Sequence, residues 1–294
     1  MTATAALPTS SARGIGCMLL SLFALTCADA VTKWLGATYP PGQVICIRAI
    51  FAMLPLAVMI AVHGGRASLR VTNVRGQATR ALLFAVASSS IALSMILLPL
   101  ADAAAILHSG PLFITALAGP MLGERIGWHR WTAVLLGFCG VLIMLRPTSG
   151  VFQVLGLIPL GAALISSLRD IVGRKLSRTE TTNSIMFYSN SALIALSALS
   201  SVFGWSALRG ADLALMAVAG CLVGAGQFLL IEAYRHAEAA VVAPLKYSGI
   251  VWAVILGYVV WGNLPDRYII AGGALVIGSG LYILHRETMR KPPR

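Results

Sequence analysis

Leu98-Pro99-Leu100-Ala101-Asp102-Ala103-Ala104-Ala105-Ile106-Leu107-His108-Ser109-Gly110-Pro111 is the stretch on which the reading of this chain turns. It is apolar, yet it holds an acid, a histidine and a helix-breaking Gly-Pro. Parts of it recur. Ala101-Asp102-Ala103-Ala104 returns 136 residues later as Ala237-Glu238-Ala239-Ala240, and Ser109-Gly110 returns 139 residues later as Ser248-Gly249. Gly123-Glu124 aligns with Gly262-Asn263 at the same offset of 139. Asp29 and Lys33 return as Asp170 and Arg174, and Ala133 and Gly137 as Ala274 and Gly278, both at 141. Ala and Gly are common here, so no single match is specific. The shared order and nearly constant offset carry the repeat.

Working outward, apolar runs long enough to cross a bilayer, about 20 residues each, flank this stretch on both sides. The first copy gives spans at 14–36, 42–62, 78–98, 102–122 and 128–146. The second gives 151–173, 183–204, 212–234, 239–261 and 268–285. Turn residues separate them: Tyr39-Pro40-Pro41-Gly42, His63-Gly64-Gly65, Arg146-Pro147 and Gly262-Asn263-Leu264-Pro265. Five is odd, so the second copy enters the membrane upside down, the arrangement of secondary transporters. The expected organisation is a tail at 1–13, repeats at 14–146 and 151–285, and a basic tail at 286–294.

Composition agrees. Of 294 residues, 58% are hydrophobic and 11% charged, and the mean hydropathy is +0.84. Soluble domains carry roughly 25% charged residues; a chain this poor in charge must expose its surface to lipid. Ten spans leave no room for a soluble domain. The net charge of +12 would suggest nucleic acid in a soluble protein. Here the basic residues sit between apolar runs, as topology signals, and no nucleic-acid partner is expected. Arg13, an apolar run and Ala28-Asp29-Ala30 outline a signal peptide, but the run is too long, and a retained first span is expected. With the N-terminus in the cytoplasm, sixteen of the 22 Lys and Arg fall on cytoplasmic segments and three on outer loops. That asymmetry predicts an even number of spans and two cytoplasmic termini. Cys17, Cys27, Cys46, Cys139 and Cys221 all lie in apolar runs without metal-ligand spacing, so neither a disulfide framework nor a metal site is expected.

The chain resembles the drug/metabolite transporter superfamily in its ten-helix EamA-type branch. The resemblance runs over nearly the whole chain. It is carried by Phe23-Ala24-Leu25 with Asp29-Ala30-Val31-Thr32-Lys33-Trp34-Leu35, Arg48, Pro99-Leu100-Ala101-Asp102-Ala103, Pro111, Leu122-Gly123-Glu124-Arg125, and Gly137-Phe138-Cys139-Gly140-Val141. The second copy departs from the pattern, with Gly262-Asn263 in place of Gly-Glu. The resemblance implies an all-α carrier of small organic molecules in the inner membrane. This branch includes carriers of aromatic amino acids, riboflavin and S-adenosylmethionine. No motif separates these substrates, although the wording of the first span looks closer to the riboflavin and S-adenosylmethionine subgroup.

An ionisable residue inside a span is expensive and marks a candidate site. Asp29 and Lys33 share one face of the first helix, and Arg48 enters from the second. Asp29 is neutralised by Lys33 or by Arg48, as a structural pair or as an outer gate. Asp170 and Arg174 would form the inverted counterpart at the inner end. His108-Ser109 beside Gly110-Pro111, and Lys246-Tyr247-Ser248 after Pro244, place polar groups at helix breaks in both copies, the best sequence pointer to a transport site. Gln227 follows Gly224-Ala225-Gly226 and is a cavity donor or part of a close-packed stretch. Trp252 is a stacking or interfacial aromatic. The fifth and tenth spans carry small-residue faces and no charge, and are expected as peripheral supports or a dimer face, in a monomer or homodimer. No hydrolase motif, close in-span carboxylate pair or ATP-binding loop is present. A gradient-driven carrier, moving amino acids or similar carboxylate-bearing metabolites outward, is therefore expected over an intramembrane enzyme or a receptor scaffold. No cofactor is implied.

Overall fold

The computed structural model describes residues 10–62, 65–122, 127–145, 151–177, 179–237, 239–242 and 244–290. Twelve helices run through them: α1 (Ser10–Leu35), α2 (Pro41–Val62), α3 (Val74–Leu97), α4 (Leu100–Leu107), α5 (Gly110–Leu122), α6 (Trp128–Leu145), α7 (Val151–Leu176), α8 (Thr182–Ala198), α9 (Gly210–His236), α10 (Ala239–Val242), α11 (Ser248–Trp261) and α12 (Arg267–Arg290). Ten of the resulting segments are long and apolar enough to cross a membrane. The Gly123-Glu124-Arg125 element, His63-Gly64, Arg146-Pro147 and Glu238 lie outside the described residues.

Many large apolar side chains point outward, and much of the interior is built from small ones. Val58, Leu135, Val259 and Ile270 are exposed, whereas Ala85, Ala87, Ala92 and Ala103 are almost wholly buried. Lipid is as apolar as leucine, so packing between helices relies on small residues that let backbones approach. The two copies interlock: α1 packs on α9 as α3 packs on α7, and α2 packs on α9 as α3 packs on α8. The α9 glycines serve these contacts. A Cβ on Gly224 would meet the backbone oxygen of Ala52 at 2.9 Å, and Gly226 lies against Leu25 and Ser21, whose hydroxyl donates to its carbonyl (2.8 Å).

The fifth and tenth spans, α6 and α12, pack against each other within the chain. A Cβ on Gly140 would lie 2.6 Å from the carbonyl oxygen of Gly272, and one on Gly272 would strike that of Gly140. This part of their small-residue surface is therefore used inside one chain. Gly262 ends α11 in the left-handed conformation (φ +68°) that the expected turn needs.

Spans four and nine are interrupted. The ladder stops at His108-Ser109 between α4 and α5, where Pro111 follows. It stops again around a short 3-10 turn, Pro244–Tyr247, between α10 and α11. Both breaks are therefore present, at corresponding places in the two copies.

At the face where the described chain begins and ends, at Ser10 and Arg290, the loop before α3 is tied to the α7–α8 connection. The buried Glu180 carboxylate accepts from the Thr72 amide (2.7 Å), the Thr72 hydroxyl (2.6 Å) and the Asn73 amide (2.6 Å). These donors hold its carboxyl below the usual range.

Candidate functional site

The two helix breaks meet. The His108 Nδ1 lies 2.7 Å from the Ala104 carbonyl in its own span, and Nε2 lies 3.1 Å from the Lys246 carbonyl in the other. The rings of His108 and Tyr247 are 5.8 Å apart. Gly249 passes directly beside the imidazole, where a Cβ would come within 3.5 Å of Nε2. Ser167 on α7 buttresses the junction, its hydroxyl reaching both the Ala163 and Gly110 carbonyls. Irregular backbone at membrane depth is tolerated only next to protein or a cavity, and cavities flank this junction.

The larger cavity, about 400 Å³, lies in the half of the bundle nearest the chain ends. Its polar wall is His108, Thr115, Ser166, Ser167, Asp170, Lys246 and Tyr247; Leu22, Ile91, Leu107, Ile114 and Leu230 supply much of the rest. The smaller, about 150 Å³, lies on the opposite side of His108 and reaches Thr26 and Asp29. The two share Leu22, Ile91, Leu107 and His108. A volume near 400 Å³ is within the roughly 300–1,000 Å³ of small-molecule sites.

Charge is placed unevenly along this axis. Of the two cations read as neutralising Asp29, Arg48 takes the role: its Nη1 lies 3.5 Å from the Asp29 carboxylate and donates to the Thr32 hydroxyl at 2.8 Å. Lys33 turns away to backbone, donating to the carbonyls of Met95 (3.1 Å) and Leu98 (2.5 Å) at the end of α3. Those carbonyls have no helical partner, and a cation there also meets the negative end of the helix dipole. Trp34 and Trp261 lie beside it, their rings tilted to each other with centres 6.5 Å apart. Together these contacts draw α1, α3 and α11 together on the face away from the chain ends. At the other end, Asp170 is held by its neighbour Arg169 (2.8 and 2.9 Å); its side chain is 46% exposed and lines the large cavity. Arg174 is exposed.

Lys246 is exposed at the cavity, its ammonium 5.6 Å from the Tyr234 ring. Among the described residues no carboxylate lies within ion-pair distance of it. The remaining expected site residues are not gathered here. Gln227 lines a separate pocket of about 70 Å³ with Arg80 and Asn190, between α2, α3, α8 and α9. Trp252 packs edge-on against Phe23 at 5.0 Å. Ser109 and Ser248 stand at the breaks with buried hydroxyls and line neither cavity. Ser166, Thr115, Thr26 and Arg169 escaped the sequence reading. Ser166 lies one helical turn before Asp170 and Thr26 nearly one turn before Asp29, so i,i+3 and i,i+4 spacing from the acids pointed to both.

A family signature described as the EamA-like transporter family matches residues 12–146 and again 154–284. The chain is 29% identical over 276 residues to an S-adenosylmethionine uptake transporter of Rickettsia felis, covering 93% of each chain. It is 28% identical over 293 residues to a riboflavin transporter of Rhizobium johnstonii, covering 99% of this chain and 97% of that one. It is 28% identical over 271 residues to a pseudopaline exporter of Pseudomonas aeruginosa, covering 90% and 93%. A crystal structure with 18% identity shares the fold at a TM-score of 0.66, over 97% of this chain and 99% of the other. The family signature falls twice, once on each of the interlocked copies. Ten apolar helices, two meeting helix breaks and this doubled signature lead to one conclusion: the chain is a multi-pass inner-membrane protein that belongs to the EamA-like transporter family.

Proposed function

We propose that this carrier moves a zwitterionic amino-acid metabolite with an apolar or aromatic body by alternating access, driven by a gradient. One observation carries the reading: a single cavity at the meeting of both broken spans holds Lys246, with no carboxylate paired to it among the described residues, and the half-exposed carboxylate of Asp170. Lys246 suits the substrate carboxylate and Asp170 its ammonium, while Leu22, Ile91, Leu107 and Ile114 take the side chain. Arg48 acts through Asp29, keeping the opposite end of the path neutral. Charge-assisted hydrogen bonds in a site shielded from water are the strong ones.

The asymmetry of Lys and Arg supports cytoplasmic termini, and the large cavity then loads from the cytoplasm, the first step of export. Lys33 with Trp34 and Trp261 forms the outer closure beside the Asp29–Arg48 pair. Asp170, Arg169 and Arg174 belong to the inner closure. Related carriers include both uptake and export proteins; in a carrier the direction follows the gradients. S-adenosylmethionine has an amino-acid end and would use the same pair of charges. Riboflavin has neither charge and is the alternative reading.

Exchange in liposomes separates these. Phenylalanine is expected to exchange well, and phenylalaninamide, phenethylamine, riboflavin and a permanently cationic dye poorly. Equal rates for phenylalanine and its amide would sink the zwitterion reading, and a preference for riboflavin would replace it.

A further inference from the structure

His108 faces two backbone carbonyl oxygens, one from each broken span, at 2.7 and 3.1 Å. A neutral imidazole has one N–H donor and one lone pair. Whichever tautomer forms, one ring nitrogen then points its lone pair at a carbonyl oxygen. Only the imidazolium donates to both. When the proton leaves, the N–H stays with Ala104, which is nearer and in the same span. The bond to Lys246 is the one released, and it is the polar link between the two breaks.

We propose that His108 is the proton-binding site of this carrier and that its imidazolium form ties the two broken spans together in the state whose cavity opens toward the chain ends. This rests on the transport reading above. The groups that face His108 fit such a role. From α1 comes Asp29, from α7 Asp170, and from the turn before α11 Lys246 and Tyr247; the parts of α3, α5, α9, α11 and α12 that line the two cavities bring no charge among the described residues. Each carboxylate is already shared with an arginine, so neither fixes the proton permanently.

Two measurements on the full-length protein test this without any substrate. In the first, the five histidines are labelled with ¹⁵N and His108→Gln assigns the signal. His108 is expected to show two N–H groups at acidic pH and one at alkaline pH. In the second, Ile114→Cys, in a background with the native cysteines replaced by alanine, is labelled from the face of the chain ends. Labelling is expected to be about tenfold faster at acidic than at alkaline pH, a typical coupling between a ligand and a conformation, and to lose that dependence in His108→Gln. A His108 with a single N–H throughout, or a pH dependence that survives His108→Gln, overturns the proposal. PH-dependent labelling in a protein that exchanges no amino acid supports the proton site while removing the amino-acid reading.

Discussion

Lys246→Met is expected to raise the phenylalanine concentration for half-maximal exchange by roughly 10- to 150-fold, the equivalent of a lost hydrogen bond to a charged group. Exchange of phenylalaninamide, already slow, should not change. The protein should fold as before, because the Lys246 side chain is exposed at the cavity and rests only near the Tyr234 ring. The contact that links the two breaks uses its backbone carbonyl, which the substitution keeps. A Lys246→Met protein that exchanges phenylalanine normally would show that this ammonium does not read the carboxylate.

Arg48→Met is expected to have the largest effect on stability. Arg48 is buried, and its removal leaves Asp29, at the edge of the small cavity, without its cation. Stranding a buried charge in this way costs about 3–5 kcal/mol. Adding Asp29→Asn should recover most of the loss, because the stranded charge goes with it. Thermal unfolding in detergent of the two single variants and the double variant measures the coupling. Additive losses would mean that the ion pair contributes nothing and that Arg48 matters only for packing.

The architecture was legible because lipid imposes simple demands. Spans must be about 20 residues long, so hydropathy located all ten. Backbone breaks must be sheltered, so Gly110-Pro111 and Pro244 marked the two interruptions correctly. Which way a side chain faces was harder to read. Gly220, Gly224 and Gly226 turn α9 toward α1 and α2, and Gln227, one residue on, falls into a side pocket rather than the main cavity. For Asp29 the sequence offers two cations, Lys33 at i,i+4 and Arg48 on the next helix, and Arg48 makes the contact. For Asp170 the i,i+4 spacing offers Arg174, whereas the ion pair is made by the adjacent Arg169. Lys33 bonds to main-chain carbonyls, which no pattern of side chains announces. Arg80, which counts in the sequence as one of the terminal-face cations, is packed into the α3–α8 contact, where it donates to Ser189 at 2.5 Å.

Closure of the face away from the chain ends is the most direct point of attack on alternating access. Trp34 and Trp261 meet there at a tilt, 6.5 Å between ring centres. In a cysteine-free background, a Trp34→Cys/Trp261→Cys pair joined by a short cleavable cross-linker would hold that face shut. Phenylalanine exchange across liposomes is then the measurement. Exchange should fall to the level of protein-free liposomes on cross-linking and return on cleavage. Exchange that continues with the cross-link intact would contradict a carrier that opens each face in turn.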